Sequence, residues 1–202
     1  MENLVKKWEM QASHFKDFNQ WTEVDHENYK VSVNGGDFVD GSVAYEIGNY
    51  NALMADCPAY KKCNVSVTSF NLTSLKNFAV GELSFEESHE LFRGAFKDGF
   101  PWEVLKVLSG PPNVLFTWRH WGVHNGKFQE NIGHGEQLEM YGIAKCVVNE
   151  DLKIQTIEVF YDPDNFIKAC EGRLKPSELK GGRAILGDVD CPFTGKSFKI
   201  RL

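Results

Sequence analysis

The chain has 202 residues, 42% of them hydrophobic and 25% charged, which suits one domain with a substantial core and would be cramped for two. A formal net charge of −6, with no basic run longer than Lys6-Lys7 or Lys61-Lys62, argues against a nucleic-acid surface, because phosphate binding needs clustered cations. No apolar run approaches the roughly 18–20 residues of a membrane span, and MENLVKKWEMQ lacks the apolar core of a signal peptide.

Five cysteines, an odd number, point to reduced thiols and a cytoplasmic location. Aromatic residues reach 13%, including 15 Phe, so rings are expected to build the core or line a pocket.

In chain order, Leu4, Val5, Trp8, Ala12, Phe15 and Phe18 recur at helical spacing and predict an amphipathic helix over residues 3–19. Tyr29, Val31 and Val33 alternate with polar residues as a short strand that ends at Asn34-Gly35-Gly36. Asp40 is placed to cap one helix carrying Val43, Ala44, Ile47, Tyr50 and Leu53. Residues 55–82 have weak periodicity. Ser84 and Glu87 have capping-box spacing, opening a helix through His89, Leu91, Phe92 and Phe96 that stops at Gly99-Phe100-Pro101.

Strands then follow at Trp102–Leu108, Val114–His124, Leu138–Val148 and Ile154–Tyr161, with breaks short enough for an antiparallel meander. Asp162-Pro163 closes the last strand and Asp164 caps a short helix at Asn165–Cys170. Helices first and a sheet afterwards describe an α+β domain over residues 1–170, with residues 171–202 as an extension wrapping the same domain. Helices packed on a curved antiparallel sheet would leave an apolar interior, a natural small-molecule site.

The block FPWEVLKVLSGPPNVLFTWRHWG, together with KKWEMQASHF, YKVSVNG, IGNYNAL, SFEESHELFRGAFKDGF and EVFYDP, resembles the SnoaL-like branch of the nuclear-transport-factor-2-like superfamily, in particular the plant pathogen-related group. The resemblance covers roughly residues 5–168. It implies a cone-shaped α+β fold, often dimeric through the outer sheet face, in a superfamily of cyclases, isomerases, dehydratases and non-catalytic binders. Many relatives carry an ionisable pair on the last strand in a His-x-Asp pattern. The corresponding positions here are Ile157 and Val159, which puts inherited acid–base chemistry in doubt.

Strand alternation puts Phe116, Trp118, His120 and His124 on one face. Pairing His124 with Leu138 and Val148 with Ile154 would set His120 opposite Gly142, and Trp118 and Glu158 opposite Ala144. His120 and Glu158 would then straddle a trough of small residues and could exchange protons. Arg119, Trp121, Tyr141, Ile157, Val159 and Tyr161 fall on the other face, where Arg119 either meets an anionic ligand or pairs with Glu139 or Glu158. The candidate catalytic residues are therefore His120, Glu158 and Arg119. The candidate ligand-binding residues are Tyr50, Phe92, Trp102, Trp118, Trp121, Tyr141, Val159 and Tyr161, which as rings could equally be plain core.

No metal and no cofactor is expected. His120 and His124 lie about 13 Å apart on one strand, too far for a shared ion, and His134 leaves a third ligand missing. Gly195-Lys196-Ser197 has Asp190 where a phosphate loop has Gly. Cys146 reads as a small buried hydrophobe. Cys57 and Cys63 read as free thiols, and Lys61 and Lys62 could make Cys57 reactive. The leading reading is a soluble, homodimeric binder of a small hydrophobic or aromatic metabolite. The alternatives are a cofactor-independent cyclase, isomerase or lyase, and a non-catalytic dimeric interaction module.

Overall fold

The structure is a computed structural model that describes residues 1–55, 83–175, 185–190 and 197–201. The first helix, α1 (Glu2–His14), buries Leu4, Val5, Trp8, Gln11 and Ala12, the stripe expected of an amphipathic helix. It stops at His14, and Phe18–Gln20 form a separate single turn opened by Asp17, whose side chain accepts from the Asn19 N–H.

Strand β1 (Lys30–Val33) and the two-residue β2 (Val39–Asp40) lead into two short helices, α2 (Gly41–Ile47) and α3 (Asn49–Ala55), in place of the single helix expected. The break is Gly48 at φ +81°, a left-handed conformation that only glycine adopts at little cost. Asp40 precedes α2 without a side-chain capping bond. By contrast, α4 (Phe85–Ala95) has both halves of the Ser84–Glu87 capping box. Strands β3 (Trp102–Val107) and β4 (Asn113–His124) follow as expected. The Gly-rich connection after β4 contains a small hairpin of β5 (Lys127–Phe128) and β6 (Asn131–Ile132). Strands β7 (Glu136–Val148) and β8 (Ile154–Tyr161) precede α5 (Asp164–Cys170), before which Asp162, not Asp164, provides the local side-chain bond, at 2.9 Å to the Asp164 N–H. In the C-terminal region β9 (Ile185–Asp190) and β10 (Ser197–Arg201) pair antiparallel.

The main sheet has the order β2-β1-β8-β7-β4-β3. It is antiparallel except where β1 lies parallel to β8, with Val31 opposite Ile157. The sheet is therefore mixed, a correction to the all-antiparallel expectation. Two irregularities bend it, one in β3 between Val104 and Lys106 and one between β7 and β8 at Val147/Val148.

The observed registers decide which side chains face inward. Between β4 and β7, His124 pairs with Glu136, His120 with Met140, Trp118 with Gly142 and Phe116 with Ala144. This is two residues from the expected pairing, so the faces are kept. Between β7 and β8, Val148 pairs with Ile154 as expected, but Val147 then pairs with Thr156, and Gln155 has no partner. One extra residue reverses the faces of everything after it. Ala144 consequently meets Val159, and Lys145 meets Glu158. Gln155 is anchored outside the ladder, its amide donating to Asp25 Oδ2 at 3.0 Å. The same oxygen accepts from Asn28 at 3.1 Å and Asn149 at 3.3 Å.

The core lies between α1, α4 and α5 and the inner sheet face, with Phe92, Phe96, Phe116, Phe128 and Phe166 almost fully buried. Trp118 packs its indole directly on Gly142: a Cβ there would come within 2.2 Å of Cζ2 and 2.4 Å of Cε2, and within 2.7 Å of the Phe160 carbonyl. Gly142→Ala should therefore lower unfolding stability by about 1–3 kcal/mol through overpacking. The double variant with Trp118→Phe should recover part of that loss in chemical denaturation. An alanine variant as stable as the parent chain would contradict the packing.

Candidate functional site

Between the helices and the concave sheet face is a cavity of about 130 Å³. Helix α1 contributes Trp8, Glu9, Ala12 and Ser13, and the following segment contributes Trp21 and Tyr29. Tyr45, Asn49, Tyr50 and Leu53 close it from α2 and α3. The sheet provides the floor: Trp102 from β3, Phe116, Trp118 and His120 from β4, and Met140 and Ala144 from β7. Ile157, Val159 and Tyr161 of β8 and Val31 and Val33 of β1 complete the floor.

The walls are braced by rings. Trp8 donates its indole N–H to the Tyr29 hydroxyl at 2.8 Å, joining α1 to the approach of β1. Tyr50 stacks on Phe92 with centroids 4.3 Å apart, Phe92 stacks on Phe100, and Phe100 stacks on His120 at 3.7 Å. Phe92 is thus a support behind Tyr50 and does not itself line the cavity.

The polar side chains of this lining are Glu9, Ser13, Asn49, His120 and the tyrosines Tyr29, Tyr45, Tyr50 and Tyr161. His120 Nδ1 lies 3.0 Å from the Pro101 carbonyl, a contact that requires the ring to donate from Nδ1. Burial drives its pKa down to about 3, the carbonyl contact opposing this only in part. Its ring is therefore neutral near pH 7, and Nε2 keeps its lone pair. Glu9 accepts from the Ser13 hydroxyl at 2.7 Å, and burial raises its carboxyl above the ordinary carboxylate range. Both groups neighbour Tyr50: its ring lies 6.3 Å from the imidazole, and its hydroxyl is pushed upward by burial first and by the charge of Glu9 second. No Lys or Arg lines the cavity among the described residues.

Of the residues singled out from the sequence, His120, Tyr50, Trp102, Trp118, Val159 and Tyr161 line this cavity. Glu158 does not. The Gln155 bulge turns it to the outer face, where it pairs with Lys145 at 3.2 Å, so His120 and Glu158 do not share a trough. Arg119, Trp121 and Tyr141 are also on the outer face. Arg119 donates from Nε to Glu103 at 2.6 Å and pairs with Glu139 at 3.2 Å. Its guanidinium lies 5.0 Å from the Trp121 ring, and Tyr141 donates to Glu139 at 2.5 Å.

Glu9 was missed. It stands four residues after Val5 and three before Ala12, on the apolar stripe of α1, and a carboxylate at such a position is a readable anomaly.

His124 is fully buried on the far side of Phe96, with Nδ1 3.3 Å from Glu136, and belongs to the core. Among the described residues no cluster of three or more His, Cys, Asp or Glu is arranged to hold a metal ion. Cys146 and Cys170 are buried thiols, Cys146 pushed up to about 11 by burial. The readings made for Cys57, Cys63, Lys61 and Lys62 lie outside the described residues, as do those for Gly195 and Lys196. No described helix is long and apolar enough to cross a membrane.

Helices closing a bent sheet over an internal cavity define the cone-shaped α+β class. In sequence, the chain is 30% identical over 171 residues to the pathogen-related protein of Hordeum vulgare, covering 83% of this chain and 66% of that one. It thus spans just under two thirds of that relative's length. No protein-family model matches it. Similar solved structures include IdmH of Streptomyces antibioticus, a candidate polyketide cyclase, at TM-score 0.46 and 11% identity over 84% of this chain and 96% of that one. Another is AclR of Streptomyces galilaeus, a candidate hydroxylase, at TM-score 0.46 and 10% identity over 85% and 80%. The chain is thus a sequence relative of this pathogen-related protein.

Two buried histidines and the half-buried His120 make acid lability a direct consequence of the fold. His89, His120 and His124 all have pKa values held below the ordinary 6.5, each chiefly by burial. The unfolded chain therefore takes up protons first on acidification, and the stability tied to these rings is complete above about pH 6.5 and lost as pH falls. Glu9 has the opposite sign, since its raised value favours the folded state at low pH. The melting temperature should fall between about pH 6.5 and 5, and His120→Phe should flatten that slope; an unaltered slope would contradict the burial of a neutral imidazole.

Proposed function

We propose that the chain is a small-molecule-binding protein whose ligand is an apolar, aromatic metabolite held in the cavity between α1–α3 and the concave sheet face. The observation that carries this reading is the cavity itself, about 130 Å³ in volume and walled by Trp8, Trp21, Tyr45, Tyr50, Trp102 and Trp118. Core side chains normally close-pack and leave few voids, and an apolar cavity of roughly 150 Å³ takes up a benzene. The lining offers ring faces and aliphatic edges and few polar atoms, the composition expected of a hydrophobic ligand site.

The test is saturable binding of single-ring hydrophobic compounds, followed by tryptophan fluorescence and native mass spectrometry. Val159→Phe fills the floor of the cavity and should weaken binding by about tenfold or more while preserving the fold. Arg119→Ala, on the outer face, should leave affinity unchanged. Binding that ignores Val159→Phe and responds to Arg119→Ala would place the site on the wrong side of the sheet.

A second reading, proton transfer on a bound carbonyl compound, has Glu9 and His120 in its favour. Both line the same cavity, and burial raises the Glu9 carboxyl from its ordinary value, which favours its holding a proton that it could pass on. Glu9 takes the place first given to Glu158 in that chemistry. It predicts exchange of solvent deuterium into the α-position of a bound aromatic ketone, abolished by Glu9→Gln with binding retained. Exchange at the rate of solvent alone would end this reading.

A further inference from the structure

The polar groups of the cavity also select the chemistry of the ligand; this selection rests on the binding reading above. His120 commits Nδ1–H to the Pro101 carbonyl at 3.0 Å and is held face to face with Phe100 at 3.7 Å. What its ring has left to offer is the Nε2 lone pair, an acceptor. It has no protein partner among the described residues. Burial keeps the ring neutral, so the acceptor persists through the physiological range.

From α1 come a carboxyl, Glu9, and the Ser13 hydroxyl that bonds to it. Glu9 is half-buried, and no Lys or Arg is among the described lining residues to balance the charge of an anionic ligand. An anionic ligand would lose its hydration with no cation to replace it, a cost of several kcal/mol. A purely hydrocarbon ligand would cover Nε2 and leave a buried acceptor unpaired, which also costs free energy.

We propose that the ligand is an uncharged aromatic alcohol or phenol, its ring among the aromatic walls and its hydroxyl donating to Nε2 of His120. In this arrangement His120 is a specificity-determining residue, and the Pro101 carbonyl, by fixing the tautomer, positions it. The same arrangement disfavours aromatic carboxylates.

Four single-ring probes of matched size test this: ethylbenzene, para-ethylphenol, para-ethylbenzoate and phenethylamine, titrated against the full chain by ¹H–¹⁵N spectra. The phenol should bind about tenfold more tightly than ethylbenzene, and the benzoate more weakly than either. His120→Phe should bring the phenol to within about twofold of ethylbenzene while ethylbenzene itself still binds. If ethylbenzene saturates the cavity but the phenol binds no better, the donor requirement is wrong and the binding reading stands. If no probe saturates, the cavity is not a ligand site and the binding reading fails as well. Tighter binding of phenethylamine than of the phenol would overturn the proposal in favour of Glu9 acting as an ionised counter-charge. Should His120→Phe fail to fold, the ranking of the four probes on the unaltered chain decides alone.

Discussion

One unpaired residue determines what this sheet encloses. Gln155 has no partner on β7, and the extra position inverts the alternation of β8, turning Ile157, Val159 and Tyr161 inward and Glu158 outward. The inversion is anchored by hydrogen bonds. The Gln155 amide is held by Asp25, whose carboxyl also gathers Asn28 and Asn149 and is kept below its ordinary range chiefly by the bond from Gln155. Backbone bonds from Asp25 to the Ile154 carbonyl and from Ile154 to the Glu23 carbonyl, both 2.9 Å, fasten the same point to the chain beside β1. Without the bulge, a carboxylate would face the aromatic floor and the isoleucine and valine would face outward.

The cavity exists because its walls are stiff and its floor is locally thin. Tyr50, Phe92, Phe100 and His120 form a continuous stack from α3 through α4 to the sheet, so the roof cannot settle into the space without breaking ring contacts. The floor shows both uses of a small residue. Gly142 is covered by the Trp118 indole and adds nothing to the volume, whereas Ala144, between Phe116 and Val159, faces the open space. On the other side of the sheet, Glu103, Arg119, Glu139 and Tyr141 satisfy one another. The sheet thus carries a paired polar network on its outer face and His120 on its inner one, while Glu9 reaches the cavity from α1.

Much of this was legible in the sequence where the signal is local. The α1 stripe, the Ser84–Glu87 capping box and the four long strands follow from spacing alone, and the cone-shaped architecture follows from the resemblance those elements carry. The site was harder to read because it depends on register. The break in alternation at Gln155-Thr156, two polar residues where one was due, is the local mark of the bulge. Read as a regular strand, it placed Glu158 on the face of His120, across a trough of small residues. Glu9 was visible as a carboxylate on an apolar stripe, but its importance depends on Tyr50 and His120, both far along the chain. The parallel pairing of β1 with β8 joins Val31 to Ile157 and has no local signature at all.

The central claim is that the ligand-accessible face of the sheet is the one carrying Met140, Ala144, Ile157 and Val159. An isotope-filtered nuclear Overhauser experiment on the ¹³C-labelled chain with an unlabelled aromatic probe measures this directly. The account predicts contacts from the probe to the methyl groups of those four residues, and none to Ile143 or Val147 on the opposite face of β7. Contacts to Ile143 and Val147 in their place would contradict it.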